Sequence, residues 1–423
     1  MNIYLYLSCF FELLVKYVNT CNLENDKPKK SRLYMKLGFL GGGIKGGRER
    51  EREMGRSQKG RVADLKRDLN DHSAMLHDTL QLLNCAATTA VERVPWKVVK
   101  DAADQVVKKA TIAGVLWIAD PKIDEARDEM QSYSNALQGF LLLCHGSTVG
   151  AGLTLLSSIQ LVSKHVLDTS LTLLEAAVNF SVRGTERTER QEALPRLVGC
   201  VWEACDNVKK APPDNRTAVG RSLVQVARSI KDVLREMDEV EQTSKDVDRE
   251  RGSEVKSNAS DKEFATCQEP YEDNDEQVES SDEVLGFDAK FSDEELKVAM
   301  STKEIVRTTL ELVKQLLYIV GDTSTLPGGG ADEIVVDTLE RIVRQVIDIG
   351  IEIDDIGASI YPPQEINHMN ERLEVLSLLV DSLHAEISSF LGSVPQNLVS
   401  AYESCCVAQN TLKMMLAPLR HKV

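Results

Sequence analysis

Aromatic residues make up only 5% of the 423 positions, and there are just 12 prolines and 25 glycines. Sheet proteins draw on aromatic and β-branched strands broken by frequent turns, so this scarcity argues for helices. The nine cysteines include no C-x-x-C pair, only a C-x4-C (Cys200, Cys205) and the neighbours Cys405 and Cys406. An odd count without framework spacing suits reduced thiols. Positive charge is also short: 50 Lys/Arg stand against 66 Asp/Glu, a formal net charge of -16. That balance argues against direct nucleic-acid binding, which needs clustered cations to neutralise phosphates, and favours a basic or amphipathic protein partner. Residues 1–18 are apolar but carry Glu12 and Lys16 and fall short of the roughly 20 residues that span a bilayer, so no membrane segment is expected.

What is present is a high content of hydrophobic residues, 42%, enough for two or three compact cores in a chain of this length. The first 53 residues read as a translated leader or disordered extension. They end in alternating Arg and Glu from Arg48 to Glu53, the product of an AG dinucleotide repeat, with Met54 as the expected start of the body.

Beyond Met54 the apolar residues recur at alternating steps of three and four, the period of a helix with one buried face. Val99, Ala103, Val106, Ala110, Ala113 and Trp117 make one stripe; Ala126, Met130, Tyr133, Leu137, Phe140 and Cys144 make the next. Helices are expected at about 61–92, 95–119, 122–145, 153–181, 190–210 and 215–241. Residues 54–242 are therefore assigned to an N-terminal bundle of five or six helices. Periodicity then stops: between 241 and 290 sixteen Asp/Glu face six Lys/Arg, the composition of a flexible tether, and 243–290 is assigned as an acidic disordered linker. Ser292-Asp-Glu-Glu295 is a capping box that starts the next helix. Strict heptads follow, led by Val335, Leu339, Ile342, Val346, Ile349, Ile353 and Ile356 and by Met369, Leu373, Leu376, Val380, Leu383 and Ile387. Four such stripes separated by short breakers predict a four-helix bundle over 291–423. The fold class is thus all-α, two antiparallel helical bundles joined by an acidic disordered linker, with a monomer expected because the seams are used internally.

The stretch Leu141 to Gly152, LLLCHGSTVGAG, carries the ingredients of a nucleophile site or phosphate cradle. No lysine follows its glycines, so it is not a P-loop, and it contains neither G-x-G-x-x-G nor G-x-S-x-G. The remaining reading is a helix joint built from Gly139, Gly146, Ser147, Thr148, Gly150 and Gly152. In it Gly146 ends one helix, Ser147 or Thr148 caps the next, and the small residues let backbones approach. Glu365/His368 and Asp381/His384 have the Glu-x-x-His type of spacing used by di-metal bundles, but both pairs fall on one helix beside the heptad positions. No catalytic, cofactor or metal site is assigned. Ser280 and Ser281, set among Glu279, Asp282 and Glu283, are candidate sites of acid-directed phosphorylation.

NALQGFLLLCHGSTVGAG (135–152), LVGCVWEAC (197–205) and AVGRSLVQVARSIKDVLREM (218–237) together resemble the cyclin-D-interacting, or maternal-Id-like, protein family, and the likeness runs from about Met54 to Arg420. The resemblance implies a two-domain helical protein without catalytic activity, found in nucleus and cytoplasm, that binds D-type cyclins and restrains cell-cycle progression. It also implies sequestration of helix-loop-helix transcription factors. No basic region precedes a helix-loop-helix here, so an inhibitory role without DNA contact is the version expected. A helical-bundle scaffold of the vinculin or talin kind, binding cytoskeletal proteins, is the alternative.

Overall fold

The computed structural model describes residues 46–88, 92–183, 186–254, 291–322 and 333–419, with the backbone alone for 46–62, 182–183 and 240–254. Among these there are ten α-helices, one short 3-10 turn and no strand. The helices are α1 (Gly46–Gln81), α2 (Trp96–Ile118), α3 (Ile123–Gly146), α4 (Leu153–Arg183), α5 (Arg187–Lys210), α6 (Asn215–Glu254), α7 (Asp293–Gly321), α8 (Glu333–Ala358), α9 (Ile366–Leu391) and α10 (Gln396–Leu416). They form two compact units, 1–214 and 215–423.

In the first unit α1 packs on α3 and α4, α2 on α3 and α5, and α4 on α5, which closes a ring of five helices. The expected stripes line its interior: Val99, Ala103, Val106, Ala110, Ala113 and Trp117 on α2, and Ala126, Met130, Tyr133, Leu137, Phe140 and Cys144 on α3, are all buried. Each enters the core because a 3.6-residue turn returns the same face every three or four positions. The first helix departs from expectation at both ends. Its backbone begins at Gly46, inside the segment assigned as a leader, and it ends at Gln81 instead of 92. A 3-10 turn, Leu82–Asn84, closes it, with Leu83 fully buried and Cys85 extended.

The larger correction concerns α6. The sequence places this helix in the N-terminal bundle, yet its Val219, Leu223, Val226, Ile230 and Met237 join the core of the second unit. The domain boundary expected at 242 therefore lies at 214/215, in the Ala211-Pro212-Pro213-Asp214 breaker, and the second unit is a ring of five helices instead of four. There α6 packs on α7 and α8, α7 on α10, α8 on α9, and α9 on α10. Helical backbone also continues to Glu254, past the expected start of the linker; residues 255–290 lie outside those described. At the start of α7 the capping box is present, with the Glu295 amide donating to Ser292 Oγ at 3.2 Å and the Ser292 amide donating to Glu295 Oε2 at 2.9 Å.

The reason α6 belongs here is visible on α8, which buries a second stripe, Val336, Val343, Gly350 and Gly357, beside its heptad. A Cβ placed on Gly350 would sit 2.8 Å from Val226 Cγ1, and one on Gly357 would sit 2.6 Å from Val233 Cγ1. The two helices pack with valine methyls resting on glycine backbone, a contact that any larger residue on α8 would prop apart.

Two outcomes follow from this seam. Gly357→Ala trades a gain in helix propensity of about 1 kcal/mol for overpacking that costs about 1–3 kcal/mol, so it should lower the unfolding midpoint. In a Val233→Ala background the obstruction is gone and the same substitution should raise the midpoint; equilibrium denaturation of the four proteins in the cycle tests the coupling. Second, cutting the backbone at an engineered protease site between 255 and 290 should not release two separate halves. The pieces should co-elute on size exclusion in native buffer and part only in denaturant, because α6 stays in the ring formed by α7 to α10. Separation in native buffer would show that α6 is not held there.

Candidate functional site

The stretch 141–152 is a clasp, held shut by the Ser147 and Thr148 hydroxyls and the carbonyls around them. Helix α3 runs through Gly146, and Ser147 and Thr148 then turn back on it. Ser147 Oγ donates to the Cys144 carbonyl at 2.7 Å and Thr148 Oγ1 to the His145 carbonyl at 2.6 Å. They satisfy carbonyls orphaned at the end of α3, and the expectation that one of them caps the following helix is corrected. The residue before α4 is Gly152, whose carbonyl accepts the Leu156 amide at 2.9 Å. Gly150, with φ of +67°, makes the left-handed step between the helices.

The turn also grips the segment that leads from α1 to α2. Thr148 Oγ1 accepts the Ala87 amide at 2.9 Å, Arg93 Nε donates to the Ser147 carbonyl at 3.0 Å, and the Val94 amide donates to the Gly146 carbonyl at 3.1 Å. Gly146 is required by that approach, since a Cβ there would stand 2.6 Å from Val94 Cγ2. Gly139, by contrast, has nothing within 4 Å of its Cβ position, and the structure gives it no part in the joint. Cys144 is no nucleophile in this setting, because burial pushes its thiol up to about 12 and the thiolate is the reactive form. Cys205 is pushed up to about 12 by the same cause.

A second polar cluster lies inside the second unit, along α10. Gln409 Nε2 donates to Cys405 Sγ at 3.4 Å, Ser377 Oγ to Gln409 Oε1 at 2.9 Å, and Lys413 Nζ to Ser377 Oγ at 2.8 Å. Thr309 Oγ1 and Cys405 Sγ lie 3.5 Å apart across α7 and α10. Beside them the Tyr402 hydroxyl donates to Asp381 Oδ1 at 2.8 Å, and the Tyr402 ring stacks on His384 with centroids 4.0 Å apart. Asp381 and His384 are thus engaged with a tyrosine from α10, while His368 is exposed at the start of α9. Among the described residues no group of three His, Cys, Asp or Glu side chains could hold a metal ion. Burial raises the Cys405 thiol as well. The chain of partners runs helix to helix and fixes the register of α9 and α10, which apolar stripes alone would allow to slide.

Sequence reading missed the clasp's partners, Arg93 and Val94, because nothing local couples them to a turn more than fifty residues away. It also missed Arg190, which is 6% exposed and donates to Asp120 Oδ1 at 2.6 Å, tying the start of α5 to the turn that follows α2. A third omission had a readable signal. Residues 215–231 contain no Asp or Glu but include Arg216, Arg221 and Arg228, and these three line an open groove against the end of α7. Ser280 and Ser281 lie outside the described residues.

The clasp makes a measurable claim. Thr148→Val keeps the shape but leaves the Ala87 amide without a partner, which should cost about 1–3 kcal/mol in chemical denaturation, whereas Thr148→Ser should cost less than about 1 kcal/mol. Equal stability of the two variants would remove Thr148 from the joint's energetics.

No described helix is long and apolar enough to cross a membrane. The clasp and the α10 cluster join helices to helices through hydrogen bonds. The sequence profile of the Grap2 and cyclin-D-interacting N-terminal domain matches residues 98–243, from α2 into α6, and that of the corresponding C-terminal domain matches residues 271–385. No curated protein matches the chain. The two profiles together cover more than half of the sequence, in the same order and on both helical units, and the chain belongs to the Grap2- and cyclin-D-interacting family.

Proposed function

We propose that this chain is a non-catalytic interaction protein that binds D-type cyclins and thereby restrains cell-cycle progression, acting in both nucleus and cytoplasm. Sequestration of helix-loop-helix transcription factors through protein contacts, without direct nucleic-acid binding, belongs to the same proposal. The observation that carries it is the match of both family domains, one to each end of the helical architecture. The packing supports it. The apolar stripes are spent on the two interiors, the buried thiols are held in their unreactive form, and the polar clusters are hydrogen-bonded helix to helix. What remains for a partner is the outer surface of the helices, or a bundle that opens at the expense of its buried area.

Direct titration tests the reading: the purified full chain and a recombinant D-type cyclin should associate with a Kd in the micromolar range or tighter by calorimetry, an affinity of about -8 kcal/mol or better. Affinity capture from cells should recover D-type cyclins with their kinases. Absence of the direct interaction, with actin-associated proteins captured instead, would replace this reading by a cytoskeletal scaffold.

A further inference from the structure

We infer that the groove between the first half of α6 and the last turn of α7 docks an extended acidic peptide segment of a protein partner. The groove, of about 660 Å³, is walled on one side by Arg216, Gly220, Arg221, Val224 and Arg228 and on the other by Leu317, Val320 and Gly321. No carboxylate lines it. That is unusual in a chain whose acids outnumber its bases by 66 to 50, and it follows from the acid-free run 215–231.

Four other arginines of the same unit have acidic partners: Arg235 meets Asp232, Arg307 meets Glu304, Arg341 meets Glu386 and Arg372 meets Glu352, while Arg344 on α8 stands exposed without one among the described residues and by itself. Arg221 and Arg228 are exposed and, among the described residues, make no ion pair or hydrogen bond. Arg216 is held differently. Its Nε donates to the Val320 carbonyl at the end of α7, and its Nη2 is buried with no hydrogen-bond partner. A guanidinium anchored in this way holds its positive charge beside the groove with little side-chain freedom left to lose, so it adds to the attraction for a carboxylate.

Spacing selects the shape of the ligand. From Arg216 to Arg228 is twelve residues, about 18 Å along a helix, the length of five or six extended residues. Three cations in a row along that length match a strand carrying several Asp or Glu better than a single compact anion. Gly220 leaves the middle of the wall open, with nothing within 4 Å of its Cβ position, and Val224, Leu317 and Val320 offer an apolar lip for one aliphatic side chain among the acids. Such contacts are charge-assisted and confer specificity and on-rate, so binding should weaken as salt rises.

This inference rests on the reading of the chain as an interaction protein, but its test contains no cyclin, so either can fail alone. The probe is a fluorescein-labelled octapeptide of glutamates with one central leucine, titrated with the intact chain and followed by anisotropy. Arg221→Glu/Arg228→Glu should weaken binding by about tenfold or more. Lys231→Glu/Arg344→Glu, the same charge change on positions of the same unit outside the groove that are exposed and, among the described residues, unpaired, should change it by less than about threefold. Thermal melts of both variants should match the parent, since the four side chains are exposed. Equal losses from the two pairs would mean diffuse attraction and overturn the site. Binding that appears only when residues 261–288 are deleted would assign the groove to the chain's own acidic segment. An oligodeoxynucleotide of equal charge bound as tightly, with the same dependence on Arg221 and Arg228, would make it an anion groove without peptide preference. No binding by either the intact or the shortened chain would also refute it.

Discussion

Two valine methyls lying on two glycines decide how this chain is divided. The contacts of Val226 with Gly350 and of Val233 with Gly357 bring α6 against α8 at backbone distance, and with α6 in place the second unit becomes a closed ring instead of a bundle with an uncovered face. Everything distinctive about that half depends on the contact. The unit begins at Asn215, α7 and α8 bury broader faces than a four-helix bundle would need, and the groove beside Arg216 exists because α6 and α7 run side by side. The N-terminal family profile ends at 243, so the stretch the family treats as one sequence block crosses a boundary that packing places at 214/215.

The polar clusters of the interior tie helices to one another. In the clasp, Ser147 and Thr148 finish one helix and anchor a distant segment; along α10, Cys405, Gln409, Ser377 and Lys413 form a relay of hydrogen bonds between helices. A buried polar group without a partner costs more than a hydrogen bond returns, so such clusters penalise every register but one. Desolvation drives the enclosed thiols away from ionisation, and an all-helical interior furnished in this way holds its shape while presenting its outer faces to other proteins.

An interaction family built on two filled helical rings has few ways to offer a binding surface. The apolar stripes are buried at nearly every position, so apolar contact with a partner falls to exposed side chains outside them, such as Leu161, Leu378 and Met414, unless a helix moves. Charge is different, because it costs nothing to leave on the surface and it can be concentrated by sequence alone. The acid-free run of α6, set in a strongly acidic chain, is the clearest concentration of that kind among the described residues, and only the neighbouring end of α7 turns it from a basic stripe into a walled groove.

Most of the helices, their buried faces and the Ser292 cap were determined by the sequence by itself. Residues from Val99 to Trp117, from Ala126 to Cys144 and from Val335 to Ile356 are buried where a period of 3.6 puts them, and Ser292 with Glu295 closes its box as read. These are local facts: one turn of helix contains all the information they need. Family resemblance was legible for a related reason, since it too rests on contiguous residues. Pairing between helices was decided only by the tertiary structure. A stripe states that a face must be buried and not against what, so α6 could be placed in either unit until Gly350 and Gly357 met Val226 and Val233. Ser147 and Thr148 read as caps of α4, yet they finish α3 and hold Ala87 and Arg93, whose positions follow from how α1 and α2 pack and from nothing near residue 147 in the chain.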